Sequence, residues 1–293
     1  MSPIETLQID RWTGPFDGDV RRQAVSALES GQVVFLPRLA FAMSPEEREL
    51  LTGVGTDGQA RKNVSYDPAT GQCKADTPGE AGMASLAAIL ERFGQQAEAL
   101  LTALAPGYAP GLERARASFR PNEVADRSLS WRKDDRRLHV DAFPSRPVRG
   151  RRILRVFSNI DPEGTPRRWR LGEPFEQHAA RFLPRLRAAP PGQAWLLAKL
   201  GVTRGMQSRY DQLMLALHDA AKRDEAYQAE PPAAVFEFPA GSSWMVYTDQ
   251  APHGALAGRF ALEQTFHLDP AAMAEPQTAP VAVLERLTGR VLV

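Results

Sequence analysis

Apolar residues at helical spacing dominate the first third of the chain. Over residues 17–30, Val20, Ala24, Ala27 and Leu28 fall on one face, with Asp17 placed as an N-cap and Gly31 as a stop. The apolar run Val33–Leu36 that follows reads as a short buried strand. Ser44-Pro45-Glu46-Glu47 has the form of a capping box with proline at the first helical position, so a second helix is expected to run to about Thr52. The longest pattern is Glu80–Leu104, where Leu86, Ile89, Leu90, Phe93, Ala97, Leu100, Leu101 and Leu104 recur every three or four residues. This amphipathic helix should lie on one face of a sheet, with Gly94 as its weak point. Residues 57–78, rich in Gly, Asp, Asn and Lys, predict an exposed loop carrying Lys62, Tyr66 and Lys74, either a plain surface excursion or a lid.

The period then changes. Short β-type runs at 115–119 and 153–157 are broken by Pro121, Pro144, Pro147 and Gly150, helical patterns return at 175–183 and 206–222, and strands are expected at 235–238, 243–247 and 259–267. Helices followed by a sheet with helical insertions indicate an α+β fold built around a small barrel or sandwich. The expected organisation is a single domain over 1–293, with a helical portion of about 1–110 packed on a barrel of about 111–275.

Composition narrows the class. Thirty-six basic against 35 acidic residues give a net charge of +1, which argues for neither a nucleic-acid partner nor a disordered acidic chain. The lone Cys73 excludes an internal disulfide framework and suits a reducing compartment. No apolar stretch has signal-peptide or bilayer-spanning length, so a cytoplasmic protein is expected, one that can still touch a membrane surface.

The chemistry concentrates in Leu138-His139-Val140-Asp141. At i and i+2 of an extended segment, His139 and Asp141 point to one face and can converge on one ion. A second copy, His267-Leu268-Asp269, has no histidine after it. The first is followed 114 residues later (253 minus 139) by His253, in a turn before the last strong strand. Two histidines and one carboxylate bind a ferrous ion on one face and leave open positions for a cosubstrate and dioxygen. His178 and His218, inside helical patterns, and His267, near a strand end, read as packing or surface residues.

In this order the chain resembles the Fe(II)/2-oxoglutarate-dependent dioxygenases, over roughly Ser118 to Asp269. The resemblance implies a double-stranded β-helix (jelly-roll) core with flanking helices, Fe(II) held by His139, Asp141 and His253, and 2-oxoglutarate and O2 as cosubstrates. Arg259, in Gly258-Arg259-Phe260 after the distal histidine, corresponds to the basic residue that prolyl-hydroxylase-like members use for the remote carboxylate of 2-oxoglutarate, although it follows His253 more closely than is usual; Arg155 is next in line. A guanidinium suits the task because its planar fork makes two charge-assisted hydrogen bonds and keeps its charge.

The runs 130–135, 138–144, 152–159 and 172–175 further resemble the hydroxylases of 3-deoxy-D-manno-oct-2-ulosonic acid (Kdo). That resemblance implies hydroxylation at C3 of Kdo in a lipopolysaccharide inner-core or lipid A precursor, and a Kdo-containing glycolipid as partner at the inner face of the cytoplasmic membrane. Twelve arginines between Arg114 and Arg155 supply local positive charge that an acidic sugar needs, with Arg120, Arg127 and Arg132 the candidates for substrate contact. Two other functions fit the same residues: a hydroxylase of another anionic small molecule, and a cupin-like metal-dependent sugar-binding protein.

Overall fold

The computed structural model describes residues 2–54, 63–74, 80–124, 129–187, 189–190 and 192–293. Its N-terminal strand β1 (Ile4–Thr6) runs parallel to β2 (Val33–Leu36), and helix α1 (Gly18–Glu29) connects them. Asp17 occupies the N-cap of α1 but makes no capping hydrogen bond. Helix α2 (Pro45–Gly53) has both arms of its capping box: Glu47 N donates to Ser44 Oγ at 3.2 Å, and Ser44 N to Glu47 Oε2 at 2.9 Å. Such a box stabilises a helix start by about 1 kcal/mol.

The stretch expected as a loop at 57–78 is corrected in its described part. Val64–Asp67 (β3) and Gln72–Lys74 (β4) form a hairpin, and β3 continues onto the long strand β5 (Leu112–Arg120). Tyr66 is buried and Lys74 exposed; Lys62 lies outside the described residues. The hairpin escaped the sequence pattern because its strands are four and three residues long, too short for alternation to declare itself.

Helix α3 (Glu80–Leu104) lays its apolar stripe on the large sheet, where Leu86, Ile89, Leu90, Phe93, Ala97, Leu100, Leu101 and Leu104 are all buried. The remaining strands are β6 (Arg152–Asn159), β7 (Arg167–Leu171), β8 (Ala234–Phe238), β9 (Ser243–Tyr247), β10 (His253–Ala257) and β11 (Ala261–Leu268). They assemble into an eight-stranded sheet ordered β1-β2-β9-β6-β11-β5-β3-β4 and a three-stranded sheet ordered β10-β7-β8. The first 74 residues thus contribute four strands as well as helices.

Alternation along the central strands separates two interiors. Leu154 and Val156 of β6, Met245 and Tyr247 of β9, and Leu262 and Phe266 of β11 face the core beneath α1 and α3. Phe157, Trp244 and Val246 face the other way, against Trp169 and Leu171 of β7 and Phe238 of β8. Phe238 stacks on Trp244 at 4.2 Å and Trp169 meets it edge-on at 5.6 Å. Aromatic pairs of this kind contribute about 0.5–1.5 kcal/mol beyond area burial. Helices α4 (Phe175–Phe182), α6 (Arg209–Arg223) and α8 (Pro280–Thr288) enclose a third cluster around Leu138 and Val140, with the short α5 (Gln193–Lys199) and α7 (Glu225–Ala229) flanking α6 in sequence. Helix α6 starts later than its pattern suggested, at Arg209, because Ser208 and Asp211 form a second capping box.

Gly94 is a close-approach position, not a flaw in α3. A Cβ there would stand 2.5 Å from Gln264 Oε1, and Gln264 cannot retreat because its amide nitrogen donates to Ala115 O at 3.0 Å and Thr265 O at 2.7 Å. Gly94→Ala is therefore expected to lower stability by about 1–3 kcal/mol despite alanine's better helix propensity, measurable as a lower denaturation midpoint.

Candidate metal centre

Backbone pairing assembles the candidate ligands. His139 and His253 face each other across an isolated antiparallel bridge, His139 N donating to His253 O at 3.0 Å and His253 N to His139 O at 2.8 Å. Two residues on, Asp141 N donates to Thr248 O at 2.8 Å, so the segment stays extended and Asp141 shares the face of His139. Leu138, fully buried, anchors the segment against Gly172, where an added Cβ would stand 2.9 Å from Leu138 Cδ2.

One ligand atom from each of His139, Asp141 and His253 lies within 4.8 Å of the others, near the ~4 Å span that two metal–ligand bonds of about 2.1 Å can bridge. Both imidazoles are oriented by main-chain carbonyls: His139 Nδ1 donates to Arg137 O at 2.6 Å and His253 Nδ1 to Ala251 O at 2.9 Å. A carbonyl can only accept, so Nδ1 carries the hydrogen and each Nε2 keeps its lone pair for an ion. Trp169 stacks on His253 at 5.1 Å. Asp141 Oδ2 is buried without a well-aligned hydrogen bond. These residues fit a divalent metal.

Burial, reinforced by His253, holds His139 well below the usual histidine value, and burial likewise lowers His253. Burial alone would raise the Asp141 carboxyl, but the Arg155 guanidinium, followed by the two histidines, more than offsets it and the group lies well below the usual carboxylate range. The sign for histidine follows: depressed folded values mean that the unfolded chain binds more protons, so this contribution is present above about pH 6.5 and lost as pH falls below it. Metal-free protein is expected to lose stability between pH 7 and 5, and a double His139→Gln, His253→Gln variant to show a flatter dependence in the same unfolding series.

A buried chain of charges backs the ligands. Arg155 on β6 places Nη2 2.9 Å from Asp141 Oδ2 and Nη1 2.8 Å from Glu263 Oε1. On β5, Arg120 Nε donates to the other Glu263 oxygen at 2.8 Å. The register explains it: Glu263 lies on β11 between the two neighbouring strands and pairs diagonally with both arginines.

Arg259 is not part of this group. The strand expected from 259 begins at Ala261, because Phe260 takes a left-handed conformation (φ 52°) and turns the chain. Arg259, one-third exposed, pairs with Glu163 at 2.6 Å and Asp161 at 3.5 Å. Arg132 is exposed, held to Asp219 at 3.2 Å and lying over Trp131; Arg127 lies outside the described residues. His218, assigned to packing by its helical pattern, stands edge-on to His139 at 5.2 Å with its Nδ1 3.0 Å from Asp219 Oδ1. Only the placement of α6 against the ligand segment reveals it. His267 lies at the far end of β11, its Nδ1 3.4 Å from Arg152 O, and takes no part.

Two sheets carry a 2-His-1-carboxylate group, its histidines buried and Asp141 partly so, of the kind that can hold a single non-haem metal ion. The sequence matches the family model for 3-deoxy-D-manno-oct-2-ulosonic acid (Kdo) hydroxylase over residues 11–291, and the chain belongs to that family. Among solved structures, it is similar to the Kdo hydroxylase KdoO, a non-heme Fe(II) alpha-ketoglutarate-dependent dioxygenase. The complex of KdoO with alpha-ketoglutarate and Fe(III) is 43% identical with a TM-score of 0.95, and the cobalt(II) complex 44% identical with a TM-score of 0.96; each match covers 100% of this chain and 98% of the other. No curated protein matches the sequence.

Proposed function

We propose that this chain is an Fe(II)- and 2-oxoglutarate-dependent dioxygenase that hydroxylates C3 of Kdo in a lipopolysaccharide inner-core or lipid A precursor. The observation that carries the reading is the convergence of His139, Asp141 and His253 with both Nε2 atoms left free, in a chain of the Kdo hydroxylase family. The two sheets and the aromatic interior between them are read as one double-stranded β-helix, closed over by helices into a single domain.

His139, Asp141 and His253 would hold the iron. With 2-oxoglutarate and O2 bound, the iron supplies an oxidant strong enough to take hydrogen from an unactivated carbon, with succinate and carbon dioxide as by-products. Arg155, buried beside Asp141, is the cation for the remote carboxylate of 2-oxoglutarate, in place of Arg259, and Arg120 supports it through Glu263. With Asp135, 3.7 Å from Arg120, the described group of two arginines and three carboxylates (Asp135, Asp141 and Glu263) sums to −1, so it favours arrival of a divalent cation, and the anionic cosubstrate binds more readily once that ion is in place. Arg132, beside Trp131 and linked through Asp219 to His218, remains a candidate for the acidic sugar. Among the described residues no helix is long and apolar enough to cross a membrane. The enzyme is read as cytoplasmic, reaching its glycolipid at the membrane face.

The test is incubation of Fe(II)-loaded protein with 2-oxoglutarate and a Kdo-lipid A acceptor. Succinate formation together with a gain of one oxygen on Kdo by mass spectrometry is expected. Succinate without modified Kdo would redirect the reading to another acidic acceptor, and its absence to a binding protein. Arg155→Lys, which keeps the charge but loses the fork, should raise the KM for 2-oxoglutarate at least tenfold while the metal still binds; an unchanged KM would remove Arg155 from this role.

A further inference from the structure

Five of the nine exposed large apolar side chains among the described residues lie in one 12-residue stretch: Trp195 (56% exposed), Leu196 (49%), Leu200 (66%), Val202 (56%) and Met206 (56%). On α5 and its last turn, the i, i+4 pairs Trp195–Lys199 and Leu196–Leu200 form two adjacent ridges, and Leu200 N donates to Leu196 O at 2.9 Å. The chain then doubles back, Val202 N donating to Leu197 O at 3.0 Å, which brings the last two apolar residues in after the helix. Scattered exposed apolar residues need no explanation, but a contiguous set rimmed by charge marks an interaction surface.

The rim is basic. The Lys199 ammonium lies 4.7 Å from the Trp195 ring centroid, and Arg149 reaches Gly205, where an added Cβ would stand 2.9 Å from its Nη2. Burial, together with repulsion from Arg116 and Arg204 that outweighs the attraction of Asp67, pushes Arg146 below the usual guanidinium value, so Arg146 and Arg204 crowd one another. Among the described residues, Lys199, Arg149, Arg146 and Arg204 have no ion-pair partner, whereas most arginines around the metal motif do. The stretch is also tied to the site: Arg204 N donates to Ser145 O at 2.8 Å and Gln207 Nε2 to Pro144 O at 3.0 Å, on the loop that leaves Asp141.

We infer that residues 195–206 form a docking surface for an anionic lipid membrane, with Trp195, Leu196, Leu200, Val202 and Met206 entering the headgroup boundary and Lys199 and Arg204 meeting phosphates. A lipid surface offers hydrocarbon and negative charge in one plane, and tryptophan beside lysine is suited to that boundary. A second copy would bring the same unpaired cations against these, so charge complementarity favours the membrane. Docking through this stretch sets the loop after Asp141 toward the bilayer. The use of that orientation rests on the glycolipid reading above; the contact itself does not.

The experiment is vesicle flotation of the full-length, metal-loaded protein with phosphatidylglycerol/phosphatidylethanolamine vesicles that contain no Kdo, and with phosphatidylcholine vesicles. Wild type should float with the anionic vesicles. Trp195→Ser with Leu200→Ser should reduce partitioning at least tenfold, and Lys199→Glu with Arg204→Glu should do so most strongly at low salt. All these side chains are exposed, so unchanged thermal unfolding and metal affinity are expected to verify the fold. Equal partitioning of wild type and both variants, or no flotation of wild type, overturns the proposal whatever the enzyme's substrate. A dimer that the apolar variant converts to monomer, or retention only by an acidic protein, assigns the surface elsewhere and overturns it as well.

Discussion

Alanine in place of His139, Asp141 or His253 is expected to lower metal affinity by more than the roughly 10–100-fold typical of residues that merely support a ligand, and to abolish turnover, while the fold survives. The reason lies in what holds these positions. His139 and His253 are fixed by a reciprocal pair of main-chain hydrogen bonds, and Asp141 by its amide to Thr248, none of which involves a side chain. The three variants should not be equivalent in stability. Removing Asp141 leaves Arg155 with Glu263 alone, shared with Arg120, whose other carboxylate, Asp135, stands farther off at 3.7 Å, so the buried Arg155 guanidinium loses its own partner. Removing His253 costs the contact with Trp169. Metal titration calorimetry with far-ultraviolet dichroism separates the two effects; full activity in any variant would strike that residue from the centre.

The second large effect concerns stability and is remote from chemistry. Arg152 is fully buried; its guanidinium donates to Asp249 at 2.9 Å and to Gln250 at 2.6 Å, and lies over the Tyr247 ring at 3.8 Å. Asp249→Ala should destabilise the protein by about 3–5 kcal/mol, because it strands a buried cation. The double change Arg152→Met, Asp249→Leu should recover most of that loss, since a well-packed apolar pair avoids the desolvation cost of two charges. Urea denaturation of the three proteins decides it: a double variant no more stable than the single one would mean that the ion pair itself, and not the orphaned charge, sets the cost.

The convergence of His139, Asp141 and His253 was legible in the sequence because their order is a property of the chain. His-x-Asp in an extended run has a geometry that follows from strand periodicity, and only the first copy has a later histidine to join it. Arg259 was misplaced because the turn at Phe260 is a backbone conformation that aromatic residues rarely adopt and no pattern signals. Arg155 stands between Asp141 and Glu263 through strand register, which brings β6 and β11 together across more than a hundred residues. Strand β7 was missed since Arg167-Arg168-Trp169-Arg170-Leu171 reads as a charged segment, yet alternate residues 167, 169 and 171 are buried against the aromatic interior. Apolar counting fails where an inward-facing position is an arginine. His218 was invisible for a related reason: a helix face toward a metal centre and one toward a core share the same period.

The Arg155–Asp141 contact also bears on denticity. With its Oδ2 engaged by a guanidinium, Asp141 has one oxygen, Oδ1, left to offer an ion, and that atom lies 3.7 Å from His139 Nε2. A carboxylate that grips with both oxygens would fill a fourth coordination position. Held to one, Asp141 together with His139 and His253 would leave a bound ion room for a two-toothed cosubstrate and one further small molecule. On this reading Arg155 would limit how many atoms Asp141 offers to a bound ion, and a spectroscopic change in coordination number is the signature to seek when Arg155 is replaced.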